Sequence, residues 1–329
     1  MAYSPAGNST SSPGLAHLQA IFYNKTGLDV LQKNFVFRSA TEKDKLPLRS
    51  GRTAQWFRYN NLSAGTTPAT EGSVGTSLQT TSNVVGATVS QYANFISVSD
   101  FLMDTAIDPI VESNSERLGY RAGLSVDTIT RNVIDAESGA AQTALATYLG
   151  VDDLRAARTN LAANDVMPFD DGEYFAVAHP FATFDLVNDP AAGGLADIFK
   201  YTTPKATALV SYPTRGTTMA SVAGCRVVES TNTYQGTGPN TYRVYVFGKG
   251  GVGSLDLEGR GPSNVTDPNK QKFKISVIRN QGGNIADPEG MIGAAVAYNF
   301  SFASVVLQGP ASIPGPYRYR YIDVQSTLG

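Results

Sequence analysis

Apolar residues at Leu118, Ala122, Val126, Ile129, Val133, Ala136 and Ala140 recur every three or four positions, the spacing that lines one stripe of a helix. Arg117, Arg121, Asp127 and Arg131 fall off that stripe. The run "SNSE", Ser113 to Glu116, has the form of a capping box, and an Ala-rich continuation extends the predicted helix to about 114–149. That is long for a globular protein. A second, shorter helix is expected after Asp152-Asp153, through "LRAARTNLAAND".

Residues 47–95 carry a different pattern. "RTAQWFRYNNL" and "NVVGATVSQYANFISVS" are β-prone runs separated by a long Gly/Thr/Ser tract with almost no charge. The prediction is a hairpin with an oversized tip, marginal by itself unless it packs on something. From Tyr174 onward "YFAVAHP", "GCRVVES" and "TYRVYVFG" read as buried strands, with "PFATFDLVND" as a short helix after the first. "QKFKISVIRN" and "AAVAYNFSFASVVLQG" add late strands. The order is neither a βαβ alternation nor a repeat array.

Composition sharpens this picture. The chain has 329 residues, 42% hydrophobic but only 16% charged, with a net charge of −2. Low charge with abundant Gly, Thr, Ser and Asn suggests a β-rich chain partly covered by other protein, and the near-neutral balance argues against a dedicated nucleic-acid binder. The local exception is Lys25 to Arg58: Lys25, Lys33, Arg38, Lys43, Lys45, Arg49, Arg52 and Arg58 are opposed only by Asp29, Glu42 and Asp44. This segment is either a solvated arm or one that faces something acidic. Residues 1–14 read as disordered by composition, and they lack the form of a signal peptide. The apolar run Met291 to Leu307 is interrupted by Asn299, Ser301 and Ser304 and falls short of the ~20 residues that span a bilayer.

Candidate chemistry is sparse. One cysteine, Cys225, and two histidines, His17 and His179, exclude an intrachain disulfide and leave too few ligands for a Cys/His zinc site. A reducing cytoplasm is therefore the expected compartment. "GKGGVG", Gly248 to Gly253, matches the dinucleotide fingerprint GxGxxG, but Gly259, Gly261 and Pro262 cut short the helix that must follow it. A turn between strands is expected instead. His179 reads as part of a strand-to-helix turn, with no G-x-S-x-G elbow to make it catalytic. Asp152-Asp153 and Asp170-Asp171 read as a helix cap and a turn. No catalytic, cofactor-binding or metal-binding residue is identified, and no enzymatic activity is expected. In "PYRYRYIDV" the alternation puts Tyr317, Tyr319 and Tyr321 on one face and Arg318 and Arg320 on the other, as an exposed edge strand or a contact strip for a neighbouring subunit.

The phrases "DKLPLRSGRTAQWFRYNNLSAGTTPATEGSVG", "ATVSQYANFISVSDFLMDTAIDPIVE", "SVDTITRNVIDA", "YFAVAHPFATFDL", "VAGCRVVES" and "VYVFGKGGVGSLDL" occur in an order that resembles the major capsid proteins of tailed bacteriophages. The branch of the coliphage N4 capsid protein is the most similar. The resemblance covers roughly residues 40–310. It implies an α+β chain of the Hong Kong 97-type fold: an N-terminal arm (1–46), an extended β-hairpin loop (47–95), a peripheral domain with a long spine helix (96–165), an axial α/β domain (166–258), and return strands with a C-terminal tail (259–329).

The implied function is a shell of hexamers and pentamers around double-stranded DNA, assembled in the host cytoplasm and found in the virion. Its partners would be further copies of the chain, a portal protein and, as the alternative to non-covalent burial for stabilising the shell, a cement protein. DNA would be enclosed without sequence specificity, and no membrane is involved. Arg49, Arg52, Trp56, Arg58, Tyr59, Glu71, Tyr317, Arg318, Tyr319 and Arg320 are the expected inter-subunit contacts, while Lys25, Lys33, Lys43 and Lys45 are expected to face the interior and its DNA. No lysine occurs between Lys45 and Lys200, so the loop-lysine crosslinks of some relatives are excluded. The short polar lead is no scaffolding segment, which implies a separate scaffolding protein. A nanocompartment shell of the same fold and a monomeric β-rich binding domain are the alternatives.

Overall fold

A computed structural model describes residues 36–47, 49–59, 62–68, 71–72, 74–75, 77–107, 109–142, 148–189, 218–236, 238, 240–257, 274–279, 291–308 and 316–327. The polar lead at 1–14, Lys25 and Lys33 lie outside these residues. In chain order, a 3-10 turn at Phe37–Ala40 precedes β1 (Glu42–Leu46), β2 (Thr53–Tyr59), β3 (Ser82–Thr88) and β4 (Ser90–Ser99). Next come α1 (Asp100–Thr105), α2 (Ile110–Asp135), a 3-10 turn at Ser138–Ala140, β5 (Ala141–Gln142) and α3 (Val151–Ala163). Then follow β6 (Tyr174–Ala178), α4 (Pro180–Val187), β7 (Thr218–Val222), β8 (Cys225–Glu229) and β9 (Thr241–Phe247). The chain closes with β10 (Val252–Leu257), β11 (Lys274–Arg279), β12 (Ile292–Val306) and β13 (Tyr319–Gln325).

The predicted apolar stripe is real, but both helix ends differ from expectation. α2 begins at Ile110, four residues before Asn114, with Pro109 at its N-cap, so Ser113 and Glu116 lie inside it rather than capping it. It stops at Asp135, before Ser138 and Gly139, whose low propensity interrupts the Ala-rich run. Tertiary contacts reinforce the stop: a Cβ on Gly139 would come within 2.6 Å of the Tyr317 ring, Ala140 is fully buried, and Ala141 and Gln142 pair with β13. At 26 residues α2 spans about 39 Å.

Two sheets form the body. In the first, β12 is the hub: Ile292–Phe302 pairs with β4, Ala294–Asn299 with β11 and Phe302–Val306 with β10, while β1 runs parallel to β10. α2 lies across it, packing Val111, Leu118, Ala122 and Val126 on Ala294, Val296, Tyr298, Phe300 and Phe302. β10 thus belongs to the hub strand's sheet although it precedes the expected 258/259 division, and β1 joins that sheet from within the expected arm.

The second sheet has the order β5-β13-β9-β6-β8-β7. α3 and α4 cover one face through Leu154, Leu161, Ala182 and Leu186. Phe37, Ile134, Phe247 and Tyr319 fill the other. Burial on both faces explains the unbroken apolar run of β6. The α3 N-terminus is held by Asp153, whose Oδ2 accepts from Gly150 N at 3.0 Å, and by Asp189, which accepts from Val151 N at 3.1 Å.

The tail is corrected by this sheet. β13 is not an exposed strip: it pairs with β9 over seven residues, from Tyr319↔Phe247 to Gln325↔Thr241. Tyr319 and Tyr321 do share a face, as the alternation predicts, but that face is core. Tyr319 is 0% exposed and its hydroxyl donates to Ile134 O at 3.2 Å, so its side chain cannot serve as an inter-subunit contact. Tyr319→Phe should cost about 1 kcal/mol in chemical denaturation, the worth of one hydrogen bond. An unchanged unfolding midpoint would remove the helix-tethering role assigned to that hydroxyl.

Candidate functional site

The hairpin carries the site. β2 pairs antiparallel with β3 from Thr53↔Thr88 to Tyr59↔Ser82, and Val89 N donates to Arg52 O at 2.8 Å to close its base. Strand alternation then divides its side chains. Ala54 and Trp56 turn inward and pack, half-buried, against a cluster of Leu46, Ala87, Val89, Leu255 and Ala303. Trp56 thus helps seat the hairpin on its own chain while part of its ring stays exposed. Phe57 and Tyr59 point the other way and are 60% and 71% exposed, with Val84 directly across from Phe57. Leu62, Val74 and Leu78 extend the exposed apolar set toward the tip. A run of this kind on a water-exposed face marks a surface meant to be covered.

Phe57 is absent from the sequence-predicted contacts, although the signal was available. It sits next to Trp56 in a strand, so only one of the two can face inward. Which one does is decided by the sheet beneath.

A charged cluster sits where the hairpin meets the body. Arg58 Nη2 donates to Glu42 Oε2 at 3.1 Å, and Arg318 Nη1 donates to Lys249 O at 3.3 Å. Both guanidiniums flank the turn between β9 and β10, whose Gly250 has φ +72°. The position a Gly250 Cβ would take lies 3.1 Å from Arg318 Nη1, 3.4 Å from Glu42 Oε2 and 3.9 Å from Arg58 Nη2. "GKGGVG" is thus a turn between strands that lets two arginines crowd one carboxylate. Burial, then the Arg58 charge, lower the pKa of Arg318, with Glu42 opposing.

The remaining predicted contacts are dispersed. Arg49 occupies a turn at φ 64°, and Arg52 is exposed at the hairpin base. Glu71 is exposed in a turn beside Gly72, whose φ is +80°. Tyr317 donates to Glu137 Oε2 at 2.9 Å, and Arg320 approaches Gly139 O at 3.5 Å. Lys43 and Lys45 lie on β1, interleaved with Glu42 and Asp44, and Lys45 is in register with Asp256.

Two interior polar groups escaped the sequence reading. Asp127, expected off the apolar stripe, is 1% exposed. Its Oδ1 accepts from Val36 N at 3.0 Å and Phe37 N at 2.8 Å, and its Oδ2 accepts from Asn232 Nδ2 at 3.3 Å. The carboxylate thus caps the 3-10 turn from across the fold, while burial pushes its pKa up to about 6. Arg243 links the end of α2 to the tail: it donates to Asp135 at 3.0 Å and forks onto Asp323 at 2.7 and 3.0 Å, beneath the Tyr321 ring.

Other polar side chains are structural. His179 Nδ1 accepts from Phe181 N at 3.2 Å at the start of α4 and its ring stacks on Tyr242. Burial lowers its pKa. Cys225 is fully buried and its thiol is pushed up to about 12. Among the described residues no group of three or more His, Cys, Asp or Glu could hold a metal ion, and no helix is long and apolar enough to cross a membrane.

No family model matches the chain, and no curated protein does. Solved structures do. The chain is similar to the capsid of Ralstonia phage GP4, with 10% identity, TM-score 0.65, and 90% of this chain and 91% of that chain covered. The capsid structure of cyanophage P-SCSP1u matches with 14% identity, TM-score 0.55, and coverage of 89% and 88%. The acidic stable capsid of Helicobacter pylori bacteriophage KHP30 matches with 8% identity, TM-score 0.59, and coverage of 88% and 90%. The chain has the fold of phage capsid proteins. In this Hong Kong 97-type fold β2 and β3 form the extended loop and α2 is the spine helix of the peripheral sheet. The sheet around β9, with α3 and α4, is the axial one. Identities this low carry the fold alone.

Proposed function

We propose that this chain is the major capsid protein of a tailed phage. Copies associate as hexamers and pentamers into an icosahedral head around double-stranded DNA. The observation that carries the reading is the capsid fold matched over nine-tenths of the chain, with an extended hairpin whose outer face presents Phe57, Tyr59 and Val84 to solvent. Such a face gains its burial only when another copy arrives.

Within this proposal, assembly takes place in the host cytoplasm with a portal protein and a separate scaffolding protein, and a cement protein is a further candidate partner. Placement in the coliphage N4 branch rests on the sequence phrases alone. Lys43 and Lys45, with Lys25 and Lys33, face the interior. The contact set is Arg49, Arg52, Trp56, Arg58, Tyr59, Glu71, Tyr317, Arg318 and Arg320, joined by Phe57 and without the buried Tyr319.

Expression with candidate scaffolding partners, followed by electron microscopy and size exclusion, is expected to yield closed shells. A species that stays at about the 34.9 kDa monomer under those conditions would refute the reading. Shells that enclose protein cargo instead of DNA would assign the nanocompartment. Uniform shells from this chain alone would remove the scaffolding requirement.

A further inference from the structure

Arg58 is paired with Glu42 beside the Gly250 turn, and the Arg318 guanidinium lies next to them there. Among the described residues Arg318 makes no ion pair of its own; its guanidinium donates to the Lys249 carbonyl. Arg58 Nε is buried without an acceptor, so the cluster has donors and positive charge to spare. A half-buried like-charge pair is unfavourable unless a second anion completes it. Lys249, the next cation along this turn, is already paired with Asp170.

The hairpin supplies the matching charge. Between Lys45 and Asp100, Glu71 is the one acidic residue. It sits exposed in a turn beyond the ladder and forms no ion pair with the described cations. It lies twelve positions beyond Tyr59, the end of β2, a reach of up to about 40 Å when extended. Glu71 is the only charged side chain between Arg58 and Asp100, so it specifies where the tip of the arm lands. Opposite charge fixes register more than it adds affinity.

We propose that the Arg58–Arg318 pair is the receptor for Glu71 of a second copy of this chain, so that the hairpin tip of one copy lands at the hairpin root of the next. The inference rests on the assembly reading above. The contact is heterologous, tip to root, and such contacts close into rings when the rotation between copies allows it. Each copy both gives and receives one hairpin.

Charge exchange tests this. In co-expression with scaffold, Arg318→Glu and Glu71→Arg should each lower particle yield about tenfold. The double variant Glu71→Arg/Arg318→Glu should recover to within about threefold of the unmodified protein, because every tip again meets an opposite root. Independent support comes from Glu71→Cys/Arg318→Cys particles treated with a short bismaleimide, since buried Cys225 stays silent. A ladder of covalent multimers on a denaturing gel is expected. Particles that form normally but give only monomer bands, or only an internally bridged monomer, would overturn the pairing and leave the capsid reading intact. Normal yield of Arg318→Glu particles with loss of retained nucleic acid would assign the arginines to phosphate instead. Failure of the unmodified chain to form particles would overturn both readings.

Discussion

The double substitution Phe57→Glu/Tyr59→Glu is expected to abolish particle formation while leaving the subunit folded. Both side chains are mostly exposed and lie on the hairpin face turned away from the body, so little internal packing is lost. In a shell these rings would be buried against a neighbour. An aromatic anchor at the centre of an interface is worth about 2–4 kcal/mol, and every copy repeats the loss. Trp56→Ala should behave differently. It removes packing against Leu255 and Ala303 within one chain, so its first effect is a loosened hairpin and a lower subunit unfolding midpoint. Sedimentation of assembly mixtures and far-UV circular dichroism of the soluble subunit separate the two. Normal shells from the Phe57→Glu/Tyr59→Glu variant would place the intersubunit surface elsewhere, with Phe95 and Phe101 the next exposed aromatic pair.

The second large effect concerns Asp127. Its folded pKa of about 6 lies above the ordinary 3.8, raised by burial against the opposing help of Asn232 and the backbone N–H groups of Phe37 and Val36. The folded state therefore takes up a proton before the unfolded state does as pH falls. This group's contribution is most favourable below about pH 4 and is lost as pH rises through about 6, a change on the order of 3 kcal/mol. The nearest cation on its helix, Arg131, is engaged by Asn232 and Asp135, leaving the carboxylate without a direct counter-charge among the described residues. Asp127→Asn keeps an acceptor for the arm and should flatten that pH slope. Asp127→Ala leaves the Val36 and Phe37 N–H groups without an acceptor, at about 1–3 kcal/mol each. Urea unfolding of dissociated subunits at pH 4 and pH 7 measures this. A wild-type-minus-Asn difference that stays constant with pH would refute the assignment.

Much of the framework was legible in the chain. The helical stripe of α2, the buried runs of β6, β8 and β9, and the hairpin with its oversized tip follow from periods of 3.6 and 2, which are local properties. The tyrosines of the tail were placed on one face by the same rule. The errors came wherever a distant segment decided the outcome. Trp56 and Tyr319 looked like contact residues because large aromatic groups beside arginine favour interfaces. Tyr319 is instead covered from within, by the end of α2, and Trp56 packs half-buried against the Leu46, Leu255 and Ala303 cluster of its own chain.

By itself, the sequence determined which residues share a face, where glycine and proline interrupt an element, and that residues 46–99 would have one acidic side chain and no lysine. The tertiary structure decided which face is covered and by what. Asp127 shows why: its partner Val36 lies 91 residues away, and no local pattern records that a chain segment will arrive there to be capped. The end of α2 shows both at once, since Ser138 and Gly139 lower helix propensity locally while the Tyr317 ring over Gly139 is a tertiary contact. Periodicity is set by the backbone's own geometry, whereas burial is a property of the pair of surfaces that meet.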